Sequence, residues 1–335
     1  MKVKFGSAAR FAGWLNHAAV PELPHEIAVG WSGGADSTAL LLALKEAGHA
    51  VSAWHVDHGW RESSRQECEM LAERANSWGI AFYSSRLDAA DESNREAVAR
   101  RGRFDRFLSW SRELGISTLC LAHQLDDQAE TVCMRLLQGA GAGGCRGMRR
   151  ERNYYGLRVV RPLLHVPGIE LRTVLREAGV EWFEDPSNED LSIWRNRIRQ
   201  RLFPQIAESG IKPDQLFMRW QRQAERLAIQ LDKGADAVLN GGSSGMDVRR
   251  GREVILPWRQ WSDCLPAVRA RVLQRMMSSL LGEGVTPGRR HIVMVEQWTL
   301  RDGRGGLDLS GCRLQRRQGG LHLLPATSVC AGNLR

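Results

Sequence analysis

The sequence predicts an α/β protein: a doubly wound, mainly parallel sheet, followed by a mostly helical domain that ends in a β-hairpin. Three observations predict it. From residue 26 onward, short apolar β-type runs alternate with helical segments, which is the pattern of parallel βαβ units. The residues that carry chemistry fall just after those runs, where such sheets bind their ligands. Beyond Pro204 the alternation stops and long amphipathic stretches take over.

Ile27-Ala28-Val29-Gly30-Trp31 forms the first strand. Ser37 to Ala47 is the first helix; Leu40, Leu41, Leu42 and Leu44 give it a mostly buried surface, and Gly48 ends it. Val51 to Val56 is the second strand and Ser64 to Trp78 the second helix. Ala81 to Leu87 makes a third strand, followed by the Arg-rich segment Asn94 to Leu114. Thr118 to Ala122 is a fourth strand, and Asp126 to Leu137 the helix after it. Gly139 to Gly147 is too rich in glycine for regular structure. Val159 to Leu164 reads as a last strand and Ile169 to Ala178 as a helix. Asp214 to Leu239 and Pro266 to Leu281 read as amphipathic helices, and Gly303 to Leu324 as a β-hairpin. A boundary near residue 210 gives a domain over 1–210 and a smaller one over 211–335.

The net charge of +9 comes from 47 basic and 38 acidic residues, of which only Lys2, Lys4, Lys45, Lys212 and Lys233 are lysines. Arginine, whose planar fork suits phosphate contact and base stacking, carries the rest. A polyanionic partner fits this balance, and so does a plain compositional bias. The seven cysteines are scattered and never form Cys-x-x-Cys, so neither a disulfide framework nor a thiolate metal site is expected. No stretch approaches the roughly 18 apolar residues of a membrane span, and the first residues hold no apolar targeting segment. A cytoplasmic protein without a membrane partner is the expectation.

Ser32-Gly33-Gly34-Ala35-Asp36-Ser37 lies between the first strand and the first helix. Glycines there let backbone N–H groups approach an anion, and the helix N-terminus adds favourable partial charge. Ser32 and Ser37 can donate to the same phosphates. No lysine follows the glycines, which excludes the Walker loop. Asp36 would repel a bare phosphate, so a Mg²⁺ ion between them is expected. A second cluster, His123-Gln124-Leu125-Asp126-Asp127-Gln128-Ala129-Glu130-Thr131, runs from a strand end into a helix. Asp126 and Asp127 fall in its first turn, where plain helix capping is the competing explanation. Glu130 lies three and four residues further on, so these carboxylates can share one helix face. Val56-Asp57-His58-Gly59 ends another strand and is weak by itself. So is the glycine run Gly139 to Gly144, read as a lid or as a plain linker. Asp185-Pro186-Ser187-Asn188 precedes Trp194 to Arg201, in which Arg195, Arg197, Arg199 and Arg201 alternate. Alternation cannot place all four on one helix face; they spread around it or partly line a cleft.

The missing lysine, paired serines and Asp36 resemble the PP-loop of the ATP pyrophosphatases. The ordered set, together with Arg161-Pro162-Leu163-Leu164, is similar to the tRNA(Ile)-lysidine synthetase family over about residues 25 to 205; beyond it the likeness is looser, although Gly306 to Gly311 is similar to a stretch near the end of shorter family members. Gln124 stands where a second histidine is usual, Trp60 in place of a leucine, and Ala142 and Cys145 in place of leucines. The resemblance implies cleavage of ATP to AMP and pyrophosphate, adenylation of the wobble cytidine of tRNA(Ile), and attack by free L-lysine to give lysidine. Codon reading would change from AUG to AUA and identity from Met to Ile. It implies ATP contacts at Ser32, Gly33, Gly34, Ala35, Asp36, Ser37, Asp57 and His58, with Mg²⁺ on Asp36. Asp127 and Glu130 would orient lysine or the activated base, while Arg103 and Arg195 neutralise the adenylate. His123, Asp126 and Arg100 are further lysine or adenylate candidates, and Arg100 is not ranked against Arg103. Asn196, Arg197 and Arg199 are candidates for tRNA contact. So, in the C-terminal third, are Arg219, Arg222, Arg226, Arg249, Arg250, Arg252, Arg269, Arg271 and Arg275. A homodimer is left open. Three rivals remain in view: a PP-loop tRNA thiolase, an amide-forming synthetase, and an RNA-binding protein without catalysis. The absence of a cysteine pair counts against the first, the basic tail against the second, and intact Asp36, Asp126, Asp127 and Glu130 against the third.

Overall fold

A computed structural model describes residues 13–17, 20–57, 64–87, 95–240, 247–249, 253–282 and 285–326. His58, Gly59, Trp60, Arg250 and Arg252 lie outside the described residues.

The chain divides into two compact units, Met1–Arg222 and Gln223–Arg335. The first holds a six-stranded sheet. Its strands are β1 (Glu26–Gly30), β2 (Ala50–Asp57), β3 (Ala81–Arg86), β4 (Thr118–Cys120), β5 (Glu151–Tyr154) and β6 (Leu157–Val160). The order is β3-β2-β1-β4-β6-β5, with every pairing parallel except β5 on β6. The hairpin joining β5 to β6 escaped the sequence reading. Its two-residue turn puts Tyr155 and Gly156 at φ 50° and 95°, the left-handed pair that a tight hairpin needs.

Side chains alternate across the sheet, so β1 feeds both layers. Ile27 and Val29 pack with the first helix α1 (Ala35–Glu46) and with Leu171, Val174 and Leu175. Ala28 instead joins Trp54, Leu119 and Val159 against Phe104, Phe107 and Trp110. Leu40, Leu41, Leu42 and Leu44 are all at most 2% exposed, so α1 is buried nearly all round. Further helices of this unit, on either face of the sheet, are α2 (Ser64–Ser77), α3 (Arg95–Leu114), α4 (Leu125–Leu137) and α5 (Gly168–Glu177). Strand order reverses between β1 and β4. Ligands of open α/β sheets collect at that crevice, and it receives both the Ser32–Ser37 loop and the His123–Thr131 segment.

The expected boundary near residue 210 precedes the helix Pro213–Asn240, whereas the division falls inside it. Phe217 on its first turns joins Ile198 and Val132 in one core. Ala235 and Leu239 join the core of the second unit.

The second unit is a five-stranded antiparallel sheet, β7 (Asp247–Arg249), β8 (Glu253–Pro257), β9 (Gly306–Leu309), β10 (Cys312–Arg317) and β11 (Gly320–Pro325), in the order β7-β8-β11-β10-β9. The anticipated hairpin is its β10–β11 pair, turning at Gln318 and Gly319 with φ of 48° and 76°. Alternate residues Val254 and Leu256, Cys312 and Leu314, and Leu321 and Leu323 line one core with Trp258, Trp261 and Trp298. The sequence reading found the helix Pro266–Leu281 and passed over Arg289–Leu300.

Three arginines expected at phosphates are occupied inside this unit. Arg269 is 5% exposed. It donates to the carbonyls of Trp261, Ser262 and Cys264 at 3.2, 3.0 and 2.8 Å and to Glu296 Oε2 at 2.6 Å. Ser262 closes the short helix Trp258–Ser262, and its carbonyl is one of those that a helix end leaves open. Arg271 pairs with Asp232 at 2.5 Å, and Arg275 with Asp232 at 3.1 Å and with Asp236. Arg269→Ala should cost about 3 kcal/mol, because it strands the Glu296 carboxylate and the Ser262 and Cys264 carbonyls. Urea denaturation measures it; a loss below roughly 1 kcal/mol, the scale of surface pairs, would contradict the buried role.

Candidate active site

The phosphate loop owes its shape to one glycine and two serines. Gly33 has φ 83°, and a Cβ there would lie 2.7 Å from the Phe183 ring, so only glycine fits. Phe183 closes the contact by donating its N–H to the Gly33 carbonyl at 2.9 Å. The Ser32 and Ser37 hydroxyls are 3.0 Å apart, and Ser37 donates to the Gly34 carbonyl at 3.0 Å. Gly34 caps α1 without any side-chain bond, which leaves the helix N-terminus open to an anion.

Glu130 is the most deeply placed charge, at 0% exposure. Arg195 Nε donates to its Oε2 at 2.5 Å; Arg199 donates from Nε to Oε1 at 2.6 Å and from Nη2 to Oε2 at 3.2 Å. Arg195 Nη2 also reaches Asp127 Oδ1 at 2.9 Å. The four alternating arginines therefore separate in pairs. Arg195 and Arg199, one helical turn apart, face inward, whereas Arg197 and Arg201 are exposed. A π-helical turn over Ile198–Leu202 lies within this segment.

The capping alternative weighed for Asp126 and Asp127 also holds. Gln124 Oε1 accepts from the Asp126 N–H at 2.5 Å, and Asp127 Oδ2 accepts from the Gln124 N–H at 3.0 Å, a complete capping box. Asp126 Oδ2 accepts from the Gly168 N–H at 3.2 Å, joining the starts of α4 and α5. One turn on, Gln128 exchanges both amide bonds with the backbone of Met148, at 2.9 and 2.6 Å. The far end of the glycine loop is thereby anchored rather than free, and Gly147, at φ 72°, is packed onto Gln128.

Two cavities open at the switch point, of about 470 and 280 Å³. Ser32, Asp36, Ser37, Arg103 and Asp127 line both. The smaller is walled by Trp31, Trp54, Phe107, Leu121, His55 and His123. Trp54 Nε1 and His123 Nδ1 are buried there with no hydrogen-bond partner among the described residues. The larger adds Arg172, Trp182, Phe183, Glu184, Asp185, Asn188, Arg195, Asn196 and Arg199.

Several expected residues stand elsewhere. Glu130 lines neither cavity and both its oxygens are taken, so it holds arginines rather than a ligand. Asp57 lines neither; it ends β2 with Arg86 Nε 3.7 Å from its carboxylate. His58 is outside the described residues. Arg103 lines both cavities, while Arg100 lines neither and lies 5.3 Å over the Phe104 ring. Asn196 lines the larger cavity, yet its amide is spent on the Ser187 and Asp190 carbonyls at 2.8 and 2.9 Å. Arg199, held on Glu130, lines the same cavity. The sequence reading missed His55, Arg172, Trp182, Phe183 and Glu184. Adjacency to Asp185-Pro186 could have flagged the last three; Arg172 carried no signal.

Burial sets the electrostatics. Asp36 is pushed up to about 6 by burial, against the lowering charge of Arg172 and with further raising by Asp127, and its Oδ1 has no partner. Burial also raises Asp127, which Arg195 partly offsets. Burial and then the charges of Arg161, Arg195, Arg100 and Arg103 hold His123 down at about 3, hence neutral.

A carboxyl whose folded pKa is raised favours the folded state below its unfolded value of 3.8; that advantage is lost as pH rises through about 6. Removing the charge should therefore stabilise the chain at pH 7.5. Asp36→Asn is expected to gain on the order of 2 kcal/mol there and to lose the gain as pH falls toward 4. Denaturant midpoints across pH 4–8 check it; a pH-independent difference would contradict the burial argument.

A PP-loop domain family matches residues 8–206. A tRNA(Ile)-lysidine synthase of Chlamydia felis is 36% identical over 211 residues, covering 62% of this chain and 67% of that protein. One from Thermus thermophilus is 36% identical over 313 residues, 91% of this chain and 57% of that relative's length. Among solved structures, the U34-tRNA thiolase NcsA from Methanococcus maripaludis aligns with a TM-score of 0.51 at 17% identity, over 66% of this chain and 77% of that one. That last likeness is one of fold alone. With the phosphate loop, the switch-point cavities and these matches together, the chain belongs to the tRNA(Ile)-lysidine synthase family, ATP-using ligases built on a PP-loop domain.

Proposed function

We propose that this chain joins free L-lysine to C2 of the wobble cytidine of tRNA(Ile) through an adenylated cytidine, releasing pyrophosphate and then AMP. The observation that carries the reading is the junction of the two cavities at Ser32, Asp36, Ser37, Arg103 and Asp127. An α-phosphate at that junction would meet the open N-terminus of α1 and Arg103, with the aromatic wall beside it for adenine and the polar cavity for base and lysine. Cytosine's C2 oxygen leaves poorly; carrying AMP, it leaves well. A wobble base is unpaired in its loop, so presenting it costs little unpairing energy.

Mg²⁺ fits Asp36, whose buried Oδ1 has no other partner. Held there, the ion would supply charge neutralisation for the triphosphate. Arg103, Arg195 and Arg199 offer fixed positive charge for the adenylate, the last two set in place by Glu130. The attacking amine, with a reference pKa of about 10.4, must shed a proton. His123, held near 3, is a poor acceptor. With Asp36 given to the cation, Asp127 is the junction carboxylate left for that proton, and its raised pKa favours the role. Exposed Arg197 and Arg201, with Arg219 and Arg222 in the same unit, suit tRNA phosphates. In the second unit Arg226 is exposed, whereas Arg269, Arg271 and Arg275 are committed internally.

Incubation with ATP, labelled lysine and bulk tRNA should move label into RNA with one AMP released per lysine. ADP as the nucleotide product would refute the scheme. Glu130→Gln should slow turnover by about 10²-fold, the scale expected of a displacement near 1 Å, although no substrate touches it. Near-normal turnover would remove its positioning role.

A further inference from the structure

The larger cavity contains more charge than adenylation needs, and most of it is already committed. Arg195 and Arg199 are held by Glu130 and Asp127. The Asn196 amide is spent on two carbonyls. Asp185 accepts from the Ser187 N–H at 2.9 Å, capping its turn. Apart from Asp36 and Arg103, which line both cavities and serve the proposed adenylation, two charged side chains remain. Arg172, on α5, makes no hydrogen bond or ion pair with another described residue, and its charge is the chief one that lowers Asp36. Among the described residues Glu184 accepts only from the Trp182 indole N–H, at 3.1 Å. Neither lines the smaller, aromatic cavity.

A cation and an anion in one polar cavity, apart from the wall suited to adenine, fit a zwitterion. Resting on the proposed function, we infer that Arg172 and Glu184 form the handle that selects lysine as an α-amino acid: Arg172 takes the α-carboxylate and Glu184 the α-ammonium. The Arg172 fork matches a carboxylate with two parallel hydrogen bonds. Glu184, held in place through Trp182, keeps one amine charged and at the cavity wall. The side-chain amine is then the one left to reach the junction and lose its proton. Trp182 is itself steadied by Arg176, whose guanidinium lies 5.6 Å over its ring. A cavity of about 470 Å³ is ample for the amino acid and lies within the range of small-molecule sites.

Two lysine analogues separate the two halves of the handle. Cadaverine lacks the carboxylate, and 6-aminohexanoate lacks the α-ammonium. Arg172→Lys retains the charge that faces Asp36 while removing the fork. It should raise KM for lysine and for 6-aminohexanoate about tenfold and leave cadaverine within twofold. Glu184→Gln should raise KM for lysine and cadaverine about tenfold and leave 6-aminohexanoate within twofold. Equilibrium binding of the same three compounds to the ATP-bound full chain should follow the same crossed pattern without turnover. An equal penalty on all three compounds, or an Arg172→Lys effect confined to the KM of ATP, would overturn the assignment. Pyrophosphate release by the unaltered chain with tRNA and no lysine reports on adenylation separately. Its absence alongside the crossed binding pattern would fault the function and spare the handle.

Discussion

The site is organised around a carboxylate that no solvent reaches. Glu130 ionised and alone at 0% exposure would be prohibitive. It persists because Arg195 and Arg199 occupy both of its oxygens. The cost of separating such a group is asymmetric, since either arginine removed leaves a buried charge behind. That asymmetry fixes the helical segment of Trp194–Arg197 against α4, and with it the wall of the larger cavity. Asp127, one turn earlier, is drawn into the same array by Arg195 and locked from the other side by the Gln124 capping box. Two side chains on one helix face thus perform different tasks: Glu130 holds cations in place, and Asp127 presents a carboxylate to the cavities.

Much of the first unit was legible from its sequence, because both of its signals are local. Apolar runs with period two and glycines at strand ends are set by neighbouring residues, and they located β1 to β4, α1 and the phosphate loop. Strand alternation placed the chemistry beyond the strands' carboxyl ends; the switch point between β1 and β4 is a matter of strand order, which the structure supplies. Less legible was what depends on partners far along the chain. Arg172 is brought to Asp36 by the packing of α5 on α1, and nothing around position 172 announces it. The hairpin ending at Val160 was hidden because β5, Glu-Arg-Asn-Tyr, has almost no apolar face. Asp57 shows the limit of such signals: it does end a strand, and its carboxylate, 3.7 Å from Arg86 Nε, lines neither cavity.

The second unit was harder to read for a related reason. Its arginines look alike in sequence, yet Arg269 is buried among carbonyls and Arg226 is exposed. Charge counts cannot distinguish a guanidinium that finishes a helix end from one that meets solvent. The same ambiguity affected the strands before the tail: the Gly303–Leu324 segment was recognised as β structure, whereas β7 and β8 were not. β8 is three apolar residues between a glutamate and a proline, too short for periodicity to declare.

The glycine loop between α4 and β5 has a consequence for recognition. Its far end is tied by both amide bonds of Gln128 to Met148, and Arg161 Nη1 holds the Arg149 carbonyl at 2.8 Å just beyond. At its start, Gly139 and Ala140 donate to the carbonyls of Leu136 and Arg135, the last turn of α4. A segment anchored at both ends has surrendered most of its conformational freedom during folding. Whatever binds beside it meets a surface already shaped, and little ordering entropy is left to charge against affinity.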